Sequence, residues 1–274
     1  MGWHMGIDSW IIALSLSLFA GLATGLGGLL VLVFRATNRK FLSYSLGFSA
    51  GIMIYISFME IMPHAKTHLI QSMSTSVSGW VALTAFFGGI ALIAAIDKLI
   101  PVKENPHEMH NIEEANSCEM TVGSHKLLKT GFLTAIAITI HNFPEGMVTF
   151  ISGMSELKLG IAIALAVAIH NIPEGIAVAI PTYCATGSRK KAFVYSLLSG
   201  AAEPLGAIFA FIFLSSYLNE TVLGVLFAGI AGIMIYISFD ELLPTARKYG
   251  EHHLTIYGLL SGMLVMGISL QLLP

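Results

Sequence analysis

The residues best suited to chemistry occur in a motif written twice, HNFPEG at 141–146 and HNIPEG at 170–175. On a helix, His and Glu four positions apart lie within about 40° of each other, with the Asn about 100° from the His. Each copy therefore gathers an imidazole, an amide and a carboxylate on one side: His141, Asn142 and Glu145 in the first, His170, Asn171 and Glu174 in the second. Two such helices laid together would aim both sets at a common point, and that is a ligand set for a divalent metal. Alternatively, these are kinked helices whose polar residues satisfy carbonyls freed by Pro144 and Pro173, since proline removes a backbone donor. Polar groups at membrane depth are expensive and a doubled set has no evident structural use, so metal binding accounts for the pattern better.

Both motifs sit mid-way along apolar stretches of membrane-spanning length. The chain has 274 residues, of which 55% are hydrophobic and 11% charged, with a mean hydropathy of +0.78. These values exclude a soluble globular domain and indicate an all-α integral membrane protein with lipid as its surroundings. A net charge of −2 without a basic patch argues against a nucleic-acid partner. The first ten residues lack the Lys or Arg that opens a secretory signal, and the apolar run behind them is too long for one, so a retained first span is expected. Cys118 and Cys184 fit neither a disulfide framework nor a zinc motif and are expected to be incidental.

At about 20 apolar residues per crossing, the sequence predicts eight transmembrane helices in a single polytopic domain over 1–274: 9–34, 41–62, 79–100, 127–152, 159–184, 191–216, 221–244 and 254–273. Arg35, Arg39, Lys40, Lys98, Lys103, Lys126, Lys129, Arg189, Lys190, Lys191, Arg247 and Lys248 flank the first, third, fifth and seventh connections. Only Lys66 and Lys158 fall on the other side. Basic residues favour cytoplasmic loops, so both termini are expected outside the cytoplasm, in a multi-pass protein of the cell membrane. Residues 101–127 are expected to be a flexible cytoplasmic loop. Its His107, Glu108, His110, Glu113, Glu114, Cys118 and His125 would bind arriving metal weakly or form a plain linker.

The segment GIMIYISF stands at 51–58 and again, letter for letter, at 232–239. The copies continue in parallel, Glu60 with Glu241, Pro63 with Pro244 and Lys66 with Arg247. Placed in spans two and seven, they cross in opposite directions, as in an inverted repeat of spans one to three and six to eight around the helix pair four and five. Glu60 is then expected near the external mouth and Glu241 near the cytoplasmic one, with Asp240 beside it, close enough to the interface to hydrate. His64 and His68 continue from Glu60 at four-residue steps, as a metal-collecting entrance if the helix persists or as an ordinary solvated helix end.

In span one, Gly21, Gly25, Gly27 and Gly28 suit close helix packing. Spans four and five form a hairpin around Glu156 and Lys158, so the twin motifs meet at similar depth. Span six adds a third intramembrane carboxylate, Glu203, next to Pro204. A lone glutamate at the bilayer centre costs on the order of 3 kcal/mol, and three that converge call for cations. Imidazole with carboxylate suits zinc and ferrous iron, while amide oxygen with carboxylate suits harder ions such as manganese.

The doubled HNxPEG motif resembles the fourth and fifth transmembrane helices of the ZIP family of divalent-metal transporters. Having it in both helices is most similar to that family's bacterial zinc-uptake branch, and the resemblance extends over essentially the whole chain. It implies that Glu145 and Glu174 bridge two metal ions. His141 and His170 would complete one ion's shell, Asn142, Asn171 and Glu203 the other's, with Met53 as a weaker ligand. It further implies uptake of Zn2+, with Fe2+, Mn2+, Co2+ and Cd2+ as additional cargo. Spans one, four, five and six would move as a rigid group against two, three, seven and eight, the latter also providing the contact of a homodimer.

Two other classes of function are open to the same residues. An intramembrane metal-dependent enzyme would use the bound ion to activate water. However, HExxH is missing and no Ser or Cys nucleophile stands beside the motifs, so no enzyme is expected. Di-iron carboxylate proteins use Glu-x-x-His, the reverse order. A metal sensor without flux would need the same ligands, but the inverted repeat favours transport.

Overall fold

The computed structural model describes residues 7–34, 39–99, 125–250 and 252–272, and the regular structure among them is entirely helical. Its α-helices in chain order are α1 (Ile7–Phe34), α2 (Arg39–Ile56), α3 (Met62–Ser72), α4 (Thr75–Leu99), α5 (His125–Ser155), α6 (Leu157–Thr186), α7 (Arg189–Gly200), α8 (Ala202–Phe209), α9 (Glu220–Ile237), α10 (Leu243–Tyr249) and α11 (His252–Leu272). The expected loop at 101–127 lies outside the described residues as far as 124, and its last three residues open α5. Cys184, near the end of α6, is disulfide-bonded and so is not the incidental thiol expected.

Seven helical stretches are long and apolar enough to cross a membrane: Ser9–Val31, Lys40–Ser72, Thr75–Lys98, Leu157–Thr186, Arg189–Tyr217, Glu220–Lys248 and His252–Leu272. With 31 residues α5 has the length as well but stands outside the seven. The multi-pass, all-helical architecture agrees with the composition.

The stretches Lys40–Ser72 and Glu220–Lys248 run past 62 and 244, the expected ends of the second and seventh spans. Pro63 and Pro244 do not stop them because the helix widens first. A proline ring conflicts with the carbonyl one turn back, and a π turn relieves that conflict at Ser57–Ile61 and again at Ser238–Leu242. In both turns the serine donates to the carbonyl four residues earlier, Ser57 to Met53 at 2.6 Å and Ser238 to Met234 at 2.8 Å. The stretch Arg189–Tyr217 breaks at Ala201, where Pro204 denies the Gly200 carbonyl its helical donor, and closes with a third π turn, Ala210–Leu214, followed by a 3-10 turn, Ser215–Tyr217. By contrast α5 and α6 run through Pro144 and Pro173 unbroken, so neither opens at its motif.

Without water to drive apolar surfaces together, helices in a bilayer associate by close packing at small residues. Here that packing divides the helices into two groups. In the first, α1, α5, α6, α7 and α8 meet backbone to backbone: a β-carbon on Gly27 would overlap the Ile172 carbonyl, on Gly146 the Glu203 carbonyl, and on Gly175 the Thr24 carbonyl. In the second, α2 seats on α11, where Gly51 faces the Leu259 carbonyl, and α9 seats on α4, where Gly232 faces the Phe86 carbonyl. None of the tight glycine contacts among the described residues joins one group to the other. The groups meet where α2 lies on α6 and α5 on α9. Large apolar side chains such as Trp80, Phe87, Leu260 and Leu264 point outward, as they should toward lipid.

Candidate metal site

A single extended residue, Glu156, joins α5 to α6, so the two helices fold back on each other and their motifs lie side by side. The terminal glycine of each motif lets a neighbour approach closely: Gly146 admits the backbone of Glu203, and Gly175 admits α1. All seven predicted principal ligands are buried, none more than 6% exposed.

The copies interlock. His170 of the second motif brings Nε2 to 3.2 Å from Glu145 Oε2 of the first. Asn142 Nδ2 donates to the Ser199 carbonyl at 3.4 Å. With its amide turned over it reaches Glu174 Oε2 at 3.3 Å and the Ile138 carbonyl at 3.1 Å; the network, not the shape, decides between the two. Asn171 Nδ2 donates to Glu203 Oε1 and, at 3.0 Å, to the Ala20 carbonyl of α1.

Three buried oxygens of these residues have no partner: Glu145 Oε1, Asn171 Oδ1 and Glu203 Oε2, from α5, α6 and α8. A buried, unpaired acceptor costs about 1–3 kcal/mol, and a cation is the natural complement to three of them. No group of three His, Cys, Asp or Glu side chains among the described residues is already closed around a point as a cage. The imidazole and amide contacts to carboxylate would have to be exchanged for metal bonds.

The outer candidates are arranged differently from the sequence expectation. Met53 is fully buried on α2, one turn beyond Ser49, whose hydroxyl donates to the His170 carbonyl at 3.3 Å. That face of α2 is therefore turned toward the second motif. The helix does persist past Glu60, and His64 Nε2 pairs with Glu60 Oε1 at 3.3 Å. His68 does not extend that face, because its Nδ1 is held 2.6 Å from Glu220 Oε2 and its ring rests near Phe227. Asp240 is exposed, whereas Glu241 is buried with Oε2 at 2.8 Å from His141 Nδ1, not hydrated at a mouth. The same kind of π turn holds the partly exposed Glu60, so what encloses Glu241 is the packing of α9 beside α5.

A family model described as ZIP Zinc transporter matches residues 7–270. The chain belongs to the ZIP family. It is 56% identical over 260 residues to a protein of Streptococcus mutans named Zinc transporter ZupT, covering 95% of this chain and 97% of that one. A protein of the same name from Clostridium perfringens is 51% identical over 277 residues, covering 97% of each chain. Another from Lysinibacillus sphaericus is 53% identical over 263 residues, covering 96% of this chain and 98% of the relative. ZIP proteins are membrane transporters, not enzymes.

Two parts of this ZIP site had no signal in the sequence. The Ala20 carbonyl accepts from Asn171, and a backbone carbonyl leaves no mark in composition or spacing. Ser49, which binds the His170 carbonyl, lies in a segment that reads simply as an apolar span.

Proposed function

We propose that the protein carries Zn2+ into the cytoplasm through a two-ion site at mid-membrane, with Fe2+, Mn2+, Co2+ and Cd2+ as further cargo of the same ligands. Glu145 and Glu174 bridge the ions; His141 and His170 serve one, and Asn142, Asn171 and Glu203 the other. Met53 lies against the site as a weaker ligand. The observation that carries this is the set of unpaired buried oxygens on α5, α6 and α8, each from a predicted ligand. Zinc transport as such rests on membership of the ZIP family and on the names of the relatives.

In this reading α5 is the fourth of eight crossings, both termini lie outside the cytoplasm of a cell-membrane protein, and the basic residues mark the inner side. An inverted repeat relates spans one to three to spans six to eight. It is supported by the twin π turns and by equivalent seams, α2 on α11 and α9 on α4. Transport moves the group α1, α5, α6, α7 and α8 against the rest. The interface between the groups suits sliding, since no glycine seam locks across it and small residues pin the helices only within each group. Glu60 and His64 stand on the external approach. The second group, with its lipid-facing α4 and α11, provides the contact of a homodimer, and the 101–127 segment is a cytoplasmic linker.

The chemistry of a cycle follows from the pairs. Without an ion, His170 holds Glu145, and Asn171 holds Glu203. An arriving ion would take the two carboxylates, the unprotonated imidazole nitrogen and the Asn171 amide oxygen in exchange for its water, and the pairs would re-form when it leaves, which keeps the site from trapping its cargo. The test is zinc influx into liposomes holding the purified protein, wild type beside Glu174→Ala. Influx by the wild type alone is the expected result. Stoichiometric binding by the wild type without any influx would overturn transport in favour of sensing.

A further inference from the structure

We infer that Thr24 of α1 is an additional oxygen ligand at the oxygen-only ion position, the one served by Asn142, Asn171 and Glu203, and that it favours hard divalent cations there. This rests on the two-ion site proposed above and adds a helix to it that the motifs do not name.

A buried threonine in a helix ordinarily satisfies its hydroxyl on the carbonyl four residues back. In this protein fully buried Thr182 does so on Val178 at 2.8 Å, as do the partly buried Thr139 on Ala135 at 2.6 Å and Thr186 on Thr182 at 2.7 Å, whereas buried Thr149 shares with Thr24 an unpaired hydroxyl. Thr24 is fully buried and its Oγ1 has no partner. The reason is specific. Its ordinary acceptor is the Ala20 carbonyl, which already takes the helical N–H of Thr24 and the side-chain amide of Asn171 at 3.0 Å. Both lone pairs are used. The contact that positions a predicted ligand therefore also releases a neighbouring hydroxyl.

The place of that hydroxyl points to its use. Thr24 is wedged between the turns that carry Asn171 and Glu203. Gly175, one turn after Asn171, has no room for a β-carbon because of the Thr24 carbonyl. Gly200, three residues before Glu203, has Thr24 Oγ1 at 3.0 Å from where its own β-carbon would be. The residues on those two flanking turns each keep an unpaired oxygen as well, Asn171 Oδ1 and Glu203 Oε2. A hydroxyl, an amide oxygen and carboxylates make an oxygen-only shell, suited to Mn2+ and to similar ions more than to the imidazole-seeking Zn2+.

The test titrates Mn2+ and, separately, Zn2+ into the purified full-length protein in detergent, for wild type, Thr24→Val and Thr24→Ser. Valine keeps the shape and removes the oxygen; serine keeps the oxygen. The expected result is Mn2+ affinity lowered about 10-fold or more in Thr24→Val, the tighter class of Zn2+ binding within about twofold of wild type, and Thr24→Ser close to wild type. A purely structural threonine would show none of this, because removing an unpaired buried hydroxyl leaves folding unharmed. Equal weakening of both metals, no change in either, or failure of Thr24→Ser to restore Mn2+ would overturn the role of Thr24. Should Thr24→Val not fold, Thr24→Ala against Thr24→Ser makes the same comparison. The two-ion site itself fails on a different result: a wild type that binds a single ion in all, or Mn2+ binding that survives Glu203→Gln.

Discussion

The two copies of GIMIYISF are alike in sequence and in local structure, yet they lead to different surroundings. Each ends in a π turn with its serine on a methionine carbonyl. After that they part: Glu60 is partly exposed and pairs with His64 of its own helix, while Glu241 is buried and reaches across to His141 of the other helix group. Local geometry is encoded by the eight letters; the surroundings are set by how the groups stand to one another. Under the inverted repeat proposed above, such a difference would belong to the conformation, with one end engaged with the proposed site while the other is not.

If the difference is confined to the rim, the centre should behave symmetrically, and the largest expected effect tests this. Glu145→Ala and Glu174→Ala should each reduce zinc uptake by about 100-fold or more while the protein still folds and inserts, as expected when a bridging ligand is lost. Uptake into liposomes from matched amounts of protein measures it. Substantial residual uptake in one variant only would extend the asymmetry into the metal site and contradict bridging by both carboxylates.

The seams should be symmetric as well, with a smaller effect. Gly51 and Gly232 are the first residues of the two copies, and a β-carbon on either would overlap a backbone carbonyl, that of Leu259 or of Phe86. Gly51→Ala and Gly232→Ala should each destabilise the protein by about 1–3 kcal/mol. Gly88, whose β-carbon would meet open space on the outer side of α4, should accept alanine within about 0.5 kcal/mol. Thermal unfolding in detergent compares the three. A neutral Gly232→Ala would remove the packing equivalence on which the inverted repeat leans.

These contrasts also mark what is legible in the letters. The seven candidate ligands stand out because polar residues inside apolar spans are rare and costly, and here they come doubled with helical spacing. Membrane class and helical architecture are carried by composition. His68 departs from its expected place because four-residue spacing from Glu60 says which face it shares but not that Glu220, far along the chain, claims its ring. Glu241 departs for the same reason: its partner His141 lies far along the chain in the other helix group, and spacing does not report that contact. The seam-forming glycines of span one are legible as packing residues, though their particular partners depend on helix register and are visible only in the fold.

The smallest expected effects lie at the rim and bear most directly on the comparison. Glu241→Gln keeps the shape of the side chain but removes the charge facing buried His141, so the tie between the two helix groups weakens where nothing solvates it. Uptake should change about 10-fold, on the scale seen when a partner of a metal ligand is altered. Glu60→Gln acts on a pair open to water, whose worth is about 0.2–1 kcal/mol, and should only slow uptake by about twofold. Initial rates of zinc influx, with each variant reconstituted in the same liposomes, give the ratio. Equal effects would mean that Glu60 and Glu241 exchange roles often during a cycle, each spending comparable time against the site. An unequal pair, with Glu241 the more sensitive, would show that the engaged end is also the end that limits the rate.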